Sequence, residues 1–177
     1  MRTRGLVGLV LATTLLGCSR PPSLPPPPGG VRRIAVEPPA NRTGSDLVVD
    51  GPSLLQRVLK QDVATVPDLL AEDLRTALTR QGFRVVTPGT EDVPVLRTEI
   101  LRWQPYAADY DTVTVGLVAS LLEPGSGREL WKASRPDWVV ATYGAGSRRE
   151  ATMAASAAIA EALVEGWQPA AAAETTP

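Results

Sequence analysis

One stretch constrains this chain more than any other. From Thr112 to Leu122, Val113, Val115, Leu117, Ala119 and Leu121 alternate with Thr112, Thr114, Gly116, Val118 and Ser120. A period of two held over that length is the pattern of a half-buried β-strand, with one face on a core and one toward water. Glu123-Pro-Gly-Ser-Gly127 then supplies turn chemistry, and residues 129–133 return antiparallel. On that return, Leu130 and Lys132 take one face and Trp131 the other. The chain must therefore build a sheet.

The other elements follow from the same kind of reading. Residues 31–37 form a first strand carrying Ile34 and Val36, stopped at Pro38-Pro39. Asn41-Arg-Thr-Gly44 is a turn; the glycosylation triplet it contains is read as part of that turn. Leu54, Leu55, Val58 and Leu59 predict a short helix after Ser53. Thr65 is the expected N-cap of a clearer helix, with Pro67 in its first turn and Asp68 three residues after the cap. Leu70, Leu74, Ala77 and Leu78 form its stripe, and Gly82 stops it. Residues 83–86 form a second strand. Strand, helix and strand make a crossover, so these two strands should be parallel neighbours. Residues 95–103 give another strand, and residues 138–143 a further separate one. Ser147-Arg-Arg-Glu150 is a capping-box pattern opening an alanine-rich helix to about Glu165. Its stripe includes Ala155, Ile159, Ala162 and Leu163. The expected fold is α+β: a small mixed β-sheet of four to five strands, with two main helices packed side by side on one face.

The chain has 177 residues, enough for one domain with a real core. It has no histidine and one cysteine. A Ser-His-Asp triad, a Cys-His dyad, a histidine-bound metal, a zinc ribbon and an internal disulfide are all excluded. With 18 basic against 19 acidic residues there is no basic field to hold nucleic acid. Nothing in the residues calls for a cofactor or a metal.

The N-terminus reads as an address. Arg2 and Arg4 precede an apolar run over residues 5–16, too short to span a bilayer and of signal-peptide length. The run ends in Leu15-Leu16-Gly17-Cys18, which resembles the lipobox of bacterial lipoproteins. That resemblance implies cleavage after residue 17 and acylation of Cys18, making residues 1–17 a lipoprotein signal peptide. Two or more acyl chains anchor a protein stably. Ser19 follows the cysteine, where aspartate would favour inner-membrane retention in that family. The expectation is the outer membrane, on its periplasmic face. Cleavage removes Arg2 and Arg4 and leaves 16 basic against 19 acidic residues, a balance of −3. A domain of that charge is not drawn to anionic lipid as a whole, so the acyl group must hold it.

Residues 18–30 comprise the lipidated cysteine and a proline-rich linker ending in Gly29-Gly30. In polyproline II geometry, at about 3.1 Å per residue, the linker after the cysteine reaches roughly 37 Å. The periplasmic domain is expected over residues 31–168 and a frayed tail over 169–177.

Several of these segments together resemble a group of envelope proteins. Ile34-Ala-Val-Glu-Pro-Pro-Ala-Asn41-Arg-Thr-Gly44 looks like the opening strand and Asn-x-Thr loop of curli-secretion, exopolysaccharide-export and lipopolysaccharide-assembly lipoproteins. Gly82-Phe-Arg-Val-Val86 and the hairpin through Gly127-Arg-Glu-Leu-Trp-Lys132 fit the same pattern. Ser19-Arg20 departs from the Gly-Tyr common after the cysteine in lipopolysaccharide-assembly members. The chain also has no spare alternating segments for a self-made pore, unlike the curli type.

Three places invite a site. Trp103, Tyr106 and Tyr110 bracket a loop between two strands and form a possible interaction surface. Asp109 and Asp111 on that loop could act as an acid–base pair or bind a hard cation; solvated turn residues are the simpler reading. Gly144-Ala-Gly146-Ser147 precedes a helix and could take an anion, although a turn and cap is the simpler reading. Ala151, Ala154, Ala155, Ala158 and Ala162 could face the chain's own sheet or form a homo-oligomer seam.

The sequence thus points to a non-enzymatic, lipid-anchored accessory or assembly subunit of an envelope transport or secretion system. Its partners would be the membrane, other envelope proteins and further copies of itself. The alternative is an envelope glycan- or lipid-binding module using the Trp103–Tyr110 region. A hydrolase using Asp109, Asp111 or Glu123 is the remaining class.

Overall fold

The structure is a computed structural model that describes residues 29–49 and 64–169. The leader, Cys18, most of the proline linker, the helix expected at Leu54–Leu59 and the tail from residue 170 lie outside the described residues. In chain order the elements are β1 (Arg33–Val36), β2 (Ala40–Asn41), α1 (Val66–Arg80), β3 (Arg84–Val86), β4 (Val95–Pro105), β5 (Thr112–Leu122), β6 (Glu129–Ala141) and α2 (Arg148–Val164).

The sheet is mixed and open, in the order β3-β1-β4-β5-β6. β1 is parallel to both β3 and β4. The crossover expected from the sequence is therefore present, with β1 and β3 adjacent. β4, β5 and β6 form an antiparallel meander. β2 makes a sixth, two-residue strand on the same flank of β4 as β1. Pro38 and Pro39 separate β1 from β2 because neither can donate to the ladder. The ladder closes again on either side, from Glu37 N–H to Leu96 O at 3.1 Å and from Arg42 N–H to Ile100 O at 2.8 Å. The sheet is thus one short strand larger than the four to five expected.

A second difference concerns residues 138–143. They are not a separate strand. β6 runs unbroken from Glu129 to Ala141, past Pro136. The register against β5 shifts between Leu117↔Arg135 and Val115↔Trp138. Proline is tolerated there because β6 is an edge strand and the shift absorbs it. Gly116 sits opposite: a β-carbon on it would lie 2.8 Å from the Pro136 carbonyl oxygen and 3.1 Å from Arg102 Cβ. The close approach of three backbones requires a residue without a side chain.

Both helices lie on one face of the sheet and against each other, α1 over β1 and β3, α2 over β4, β5 and β6. The caps form as expected. Thr65 Oγ1 accepts from the Asp68 N–H, and Ser147 Oγ accepts from the Glu150 N–H. α1 ends at Gly82 with φ +90°, where the Gly82 and Phe83 amides donate to Thr79 O and Leu78 O. This is the left-handed C-terminal stop glycine supports.

The core between the layers takes Ile34, Leu96, Ile100, Val115, Leu117 and Leu121 from the sheet, Leu70, Leu74 and Leu78 from α1, and Ala151, Ala155, Ile159 and Leu163 from α2. Beyond α2, Trp167 is 1% exposed. Its ring meets Trp131 and Phe83 edge-on, at centroid distances of 5.0 and 6.3 Å. The chain therefore stays folded through Trp167. Ala154 and Ala157 on α2 face outward, whereas Ala158 and Ala162 are half-buried. Among the described residues no helix is long and apolar enough to cross a membrane.

Candidate functional site

The registers give the domain two poles. β1 starts beside the start of β4, the end of β5 and the start of β6 (Ala35↔Val95, Val95↔Leu122, Leu122↔Glu129). Gly29–Val31 enter here, and Pro169 returns to within 3.4 Å of the β-carbon position of Gly82. This is the tether pole. The long strands carry the other ends of β4, β5 and β6 to a distal pole, roughly 35 Å away at about 3.3 Å per residue. The loop of residues 106–111 and the β6–α2 connection meet there, since Thr112 pairs with Ala141.

The distal loop is tightly bonded. Tyr106 N–H donates to Thr112 O at 2.9 Å, and Tyr110 N–H to Tyr106 O at 3.0 Å. Asp109 Oδ1 accepts from the Asp111 N–H at 3.0 Å. Thr142, only 3% exposed, ties the two connections together. Its N–H donates to Asp111 O at 2.7 Å and its Oγ1 to Tyr110 O at 2.6 Å. This clamp holds Tyr110 at φ +59°, a left-handed conformation unusual for an aromatic residue.

The three aromatic residues of this region do not share one surface. Trp103 is 7% exposed and belongs to the core cluster. Tyr110 is half-buried against that cluster. Tyr106 is 58% exposed. Two exposed apolar residues that the sequence did not single out stand at the same pole, Tyr143 and Val139. Val139 pairs with Thr114 on the solvent side of the meander. The register slip around Pro136 reverses the alternation of β6, so Val139 faces outward although Trp131 and Ala133, an even number of residues before it, face the core.

Asp109 and Asp111 are joined through a side chain-to-backbone turn. In the β6–α2 connection, the Gly146 N–H already donates to Glu150 Oε2 at 2.6 Å. The anion favoured at this helix start is thus the chain's own carboxylate, completing the capping arrangement. Glu123 lies at the tether pole, in the β5–β6 turn. Arg128 reaches it through Nε and Nη2 at 3.1 and 2.9 Å, and Ser126 Oγ donates at 2.7 Å. The Arg128 hydrogen bond, helped by Ser126, lowers its pKa to about 2.

The sheet face away from the helices is lined with ion pairs. Arg97 forks onto Glu37 at 2.8 and 3.3 Å, Arg42 meets Glu99 at 3.2 Å, and Arg102 meets Asp137 at 2.8 Å. Lys132 and Ser120 both reach Glu129. Such a face is solvated, and exposed pairs of this kind are individually weak.

No protein-family model matches the sequence, and no curated protein matches it. Solved structures do. The fold is similar to that of the PelC dodecamer from Paraburkholderia phytofirmans, with a TM-score of 0.53 over 82% of this chain and 95% of that one, at 14% identity. A Xanthomonas campestris protein of the DUF330 family gives 0.49, over 78% and 86%, at 15% identity. The lipoprotein GNA1162 from Neisseria meningitidis gives 0.39, over 75% and 96%, at 17% identity. The PelC likeness is one of fold: an α+β subunit of the same layout and nearly the same extent.

Proposed function

We propose that this protein is a lipid-anchored, periplasm-facing lipoprotein of the outer membrane that works as a non-enzymatic accessory or assembly subunit of an envelope transport or secretion system. The observation that carries the reading is a lipobox-like leader, ending in Cys18, at the head of this particular fold. Cys18 supplies the anchor and the proline segment supplies reach. The match to a protein solved as a dodecamer supports assembly of several copies. The carboxylates considered for hydrolysis favour structural roles. Asp109 is spent on a turn, and Glu123, held ionised by Arg128, is a poor proton donor near neutral pH. The glycan- or lipid-binding alternative retains Tyr106 alone of its three aromatic residues on the open surface.

Three measurements test this. Metabolic labelling with palmitate should mark the wild-type protein and leave Cys18→Ala unmarked. Affinity purification of the full-length protein from detergent-solubilised envelopes, with mass spectrometry, should recover stoichiometric transport or secretion subunits. Native mass spectrometry of the same sample should show a homo-oligomer. Recovery of an unacylated monomer without partners would overturn the reading.

A further inference from the structure

The tether pole holds a feature that the accessory reading does not use. Arg33 on β1 and Arg84 on β3 are register partners in a parallel ladder, so two like charges stand side by side. Such a pairing is unfavourable in itself. Both guanidinium groups turn to the same carboxylate, Glu91, at 2.5 Å from Arg33 and 3.7 Å from Arg84. Arg32 precedes them, its carbonyl accepting from the Arg84 N–H at 3.0 Å. The three arginines, with Gly82 and Pro169, line a cleft of about 470 Å³. Arg33 and Arg84 remain 51% and 72% exposed. The cleft begins two residues beyond the last glycine of the linker, where the tether enters the domain.

We propose that this cleft is a phosphate site and that it takes the headgroup phosphates of anionic phospholipid in the membrane to which the tether holds the domain. The proposal rests on the lipid-anchor reading above. Guanidinium groups fork onto phosphate oxygens, and two of them around one anion convert an unfavourable like-charge pair into a favourable one. In the structure Glu91 plays that part. The balance of −3 left by the expected cleavage does not oppose this. Charges farther than about 8 Å from the bilayer are largely screened at physiological salt, so the groups at the tether pole decide the local attraction. The anchor then sets where the protein is, and the cleft sets which pole rests on the membrane. The distal pole, with Tyr106 and Tyr143, is turned toward the periplasm.

The test uses the full-length protein purified from membranes and reconstituted into vesicles of phosphatidylcholine, alone or with phosphatidylglycerol added. Flotation reports the anchor. Energy transfer to headgroup-labelled lipid, from a dye on Gln81→Cys at the tether pole or Ala107→Cys at the distal pole, reports docking of the domain. Adding phosphatidylglycerol should raise transfer from position 81 and leave position 107 unchanged, and high salt should reverse it. Each guanidinium at an anionic surface is worth about fivefold. Arg33→Gln with Arg84→Gln should therefore lower the docked-to-free ratio by roughly 25-fold, while the paired lysine variants keep most of it. Glu91→Gln should increase docking, because it removes the competing carboxylate; a merely structural carboxylate would give no increase.

Flotation without any rise at position 81 overturns the cleft and leaves the anchor standing. Docking on anionic vesicles without flotation on neutral ones keeps the cleft and overturns the anchor. Failure of both overturns both readings. If inorganic phosphate shifts the arginine Nε–H resonances while anionic vesicles produce no docking, the cleft serves a free anion and the lipid assignment falls.

Discussion

Glu123 and Arg128 show how much a turn can depend on a single pair. Arg128 is exposed and Glu123 partly exposed at the β5–β6 turn, yet the Arg128 fork and the Ser126 hydroxyl lower the Glu123 pKa from 4.5 to about 2. The sign follows from linkage. A carboxylate whose folded pKa lies below its unfolded value adds stability that is fully present above about pH 4.5 and is lost as the pH falls toward 2. Side-chain carboxyl NMR should therefore find the Glu123 midpoint near pH 2, and in Arg128→Gln it should move up toward the ordinary value. Thr142 is a second case at this scale. Its Oγ1–H donates to the Tyr110 carbonyl and sustains a left-handed tyrosine. Thr142→Val keeps the shape and removes that bond. It should cost about 1 kcal/mol in chemical denaturation. It should also loosen amide protection in residues 106–111. Neither pair is visible as such in the sequence, since Thr142 and Tyr110 are brought together only by the pairing of β5 with β6.

At the level of elements, local chemistry was legible wherever it stayed local. The caps at Thr65 and Ser147, the stop at Gly82 and the alternation of β5 need only neighbouring residues, and all appear where the pattern puts them. Ser147→Ala should cost about 1 kcal/mol in thermal unfolding, the usual worth of an N-cap hydroxyl. The two strands expected at residues 129–133 and 138–143 are one strand that carries Pro136 within it. The proline survives here only since β6 is at an edge and its register slips opposite Gly116. That accommodation can be tested: Gly116→Ala drives a β-carbon into the Pro136 carbonyl and should destabilise by about 1–3 kcal/mol. The two-residue β2 was missed for a related reason, because two residues carry no period of their own.

Across the whole molecule, the C-terminal residues complete the domain. Trp167 lies beyond the last helix and is as buried as any residue of the sheet. It joins Trp131 of β6 to Phe83 just before β3, the two strands lying at opposite edges of the sheet order. Trp167→Ala should cost about 3–5 kcal/mol by the cavity it opens. Trp167→Phe should cost clearly less, since the indole Nε1 has no hydrogen-bond partner to lose. Equilibrium denaturation separates the two variants. The fold also sorts the surface into poles. Entry and exit of the chain share one pole with three arginines, while the exposed tyrosines stand at the other.

What the sequence determined by itself is whatever depends on order along the chain. That covers the expected address at Cys18, the crossover from β1 to β3, the hairpin, the helix caps and the α+β class. It also covers the absence of histidine chemistry. The tertiary structure alone decided which separated residues meet. It put Trp103 on the buried face with Leu96 and Ile100, although its odd spacing from Ile100 would turn it to the other face, because a register shift near residue 101 turns β4 within its own ladder. It placed Arg33 opposite Arg84 because a parallel crossover aligns strands whose sequence separation carries no record of register. Side-chain periodicity tells which face a residue takes; only the packed sheet tells whose neighbour it becomes.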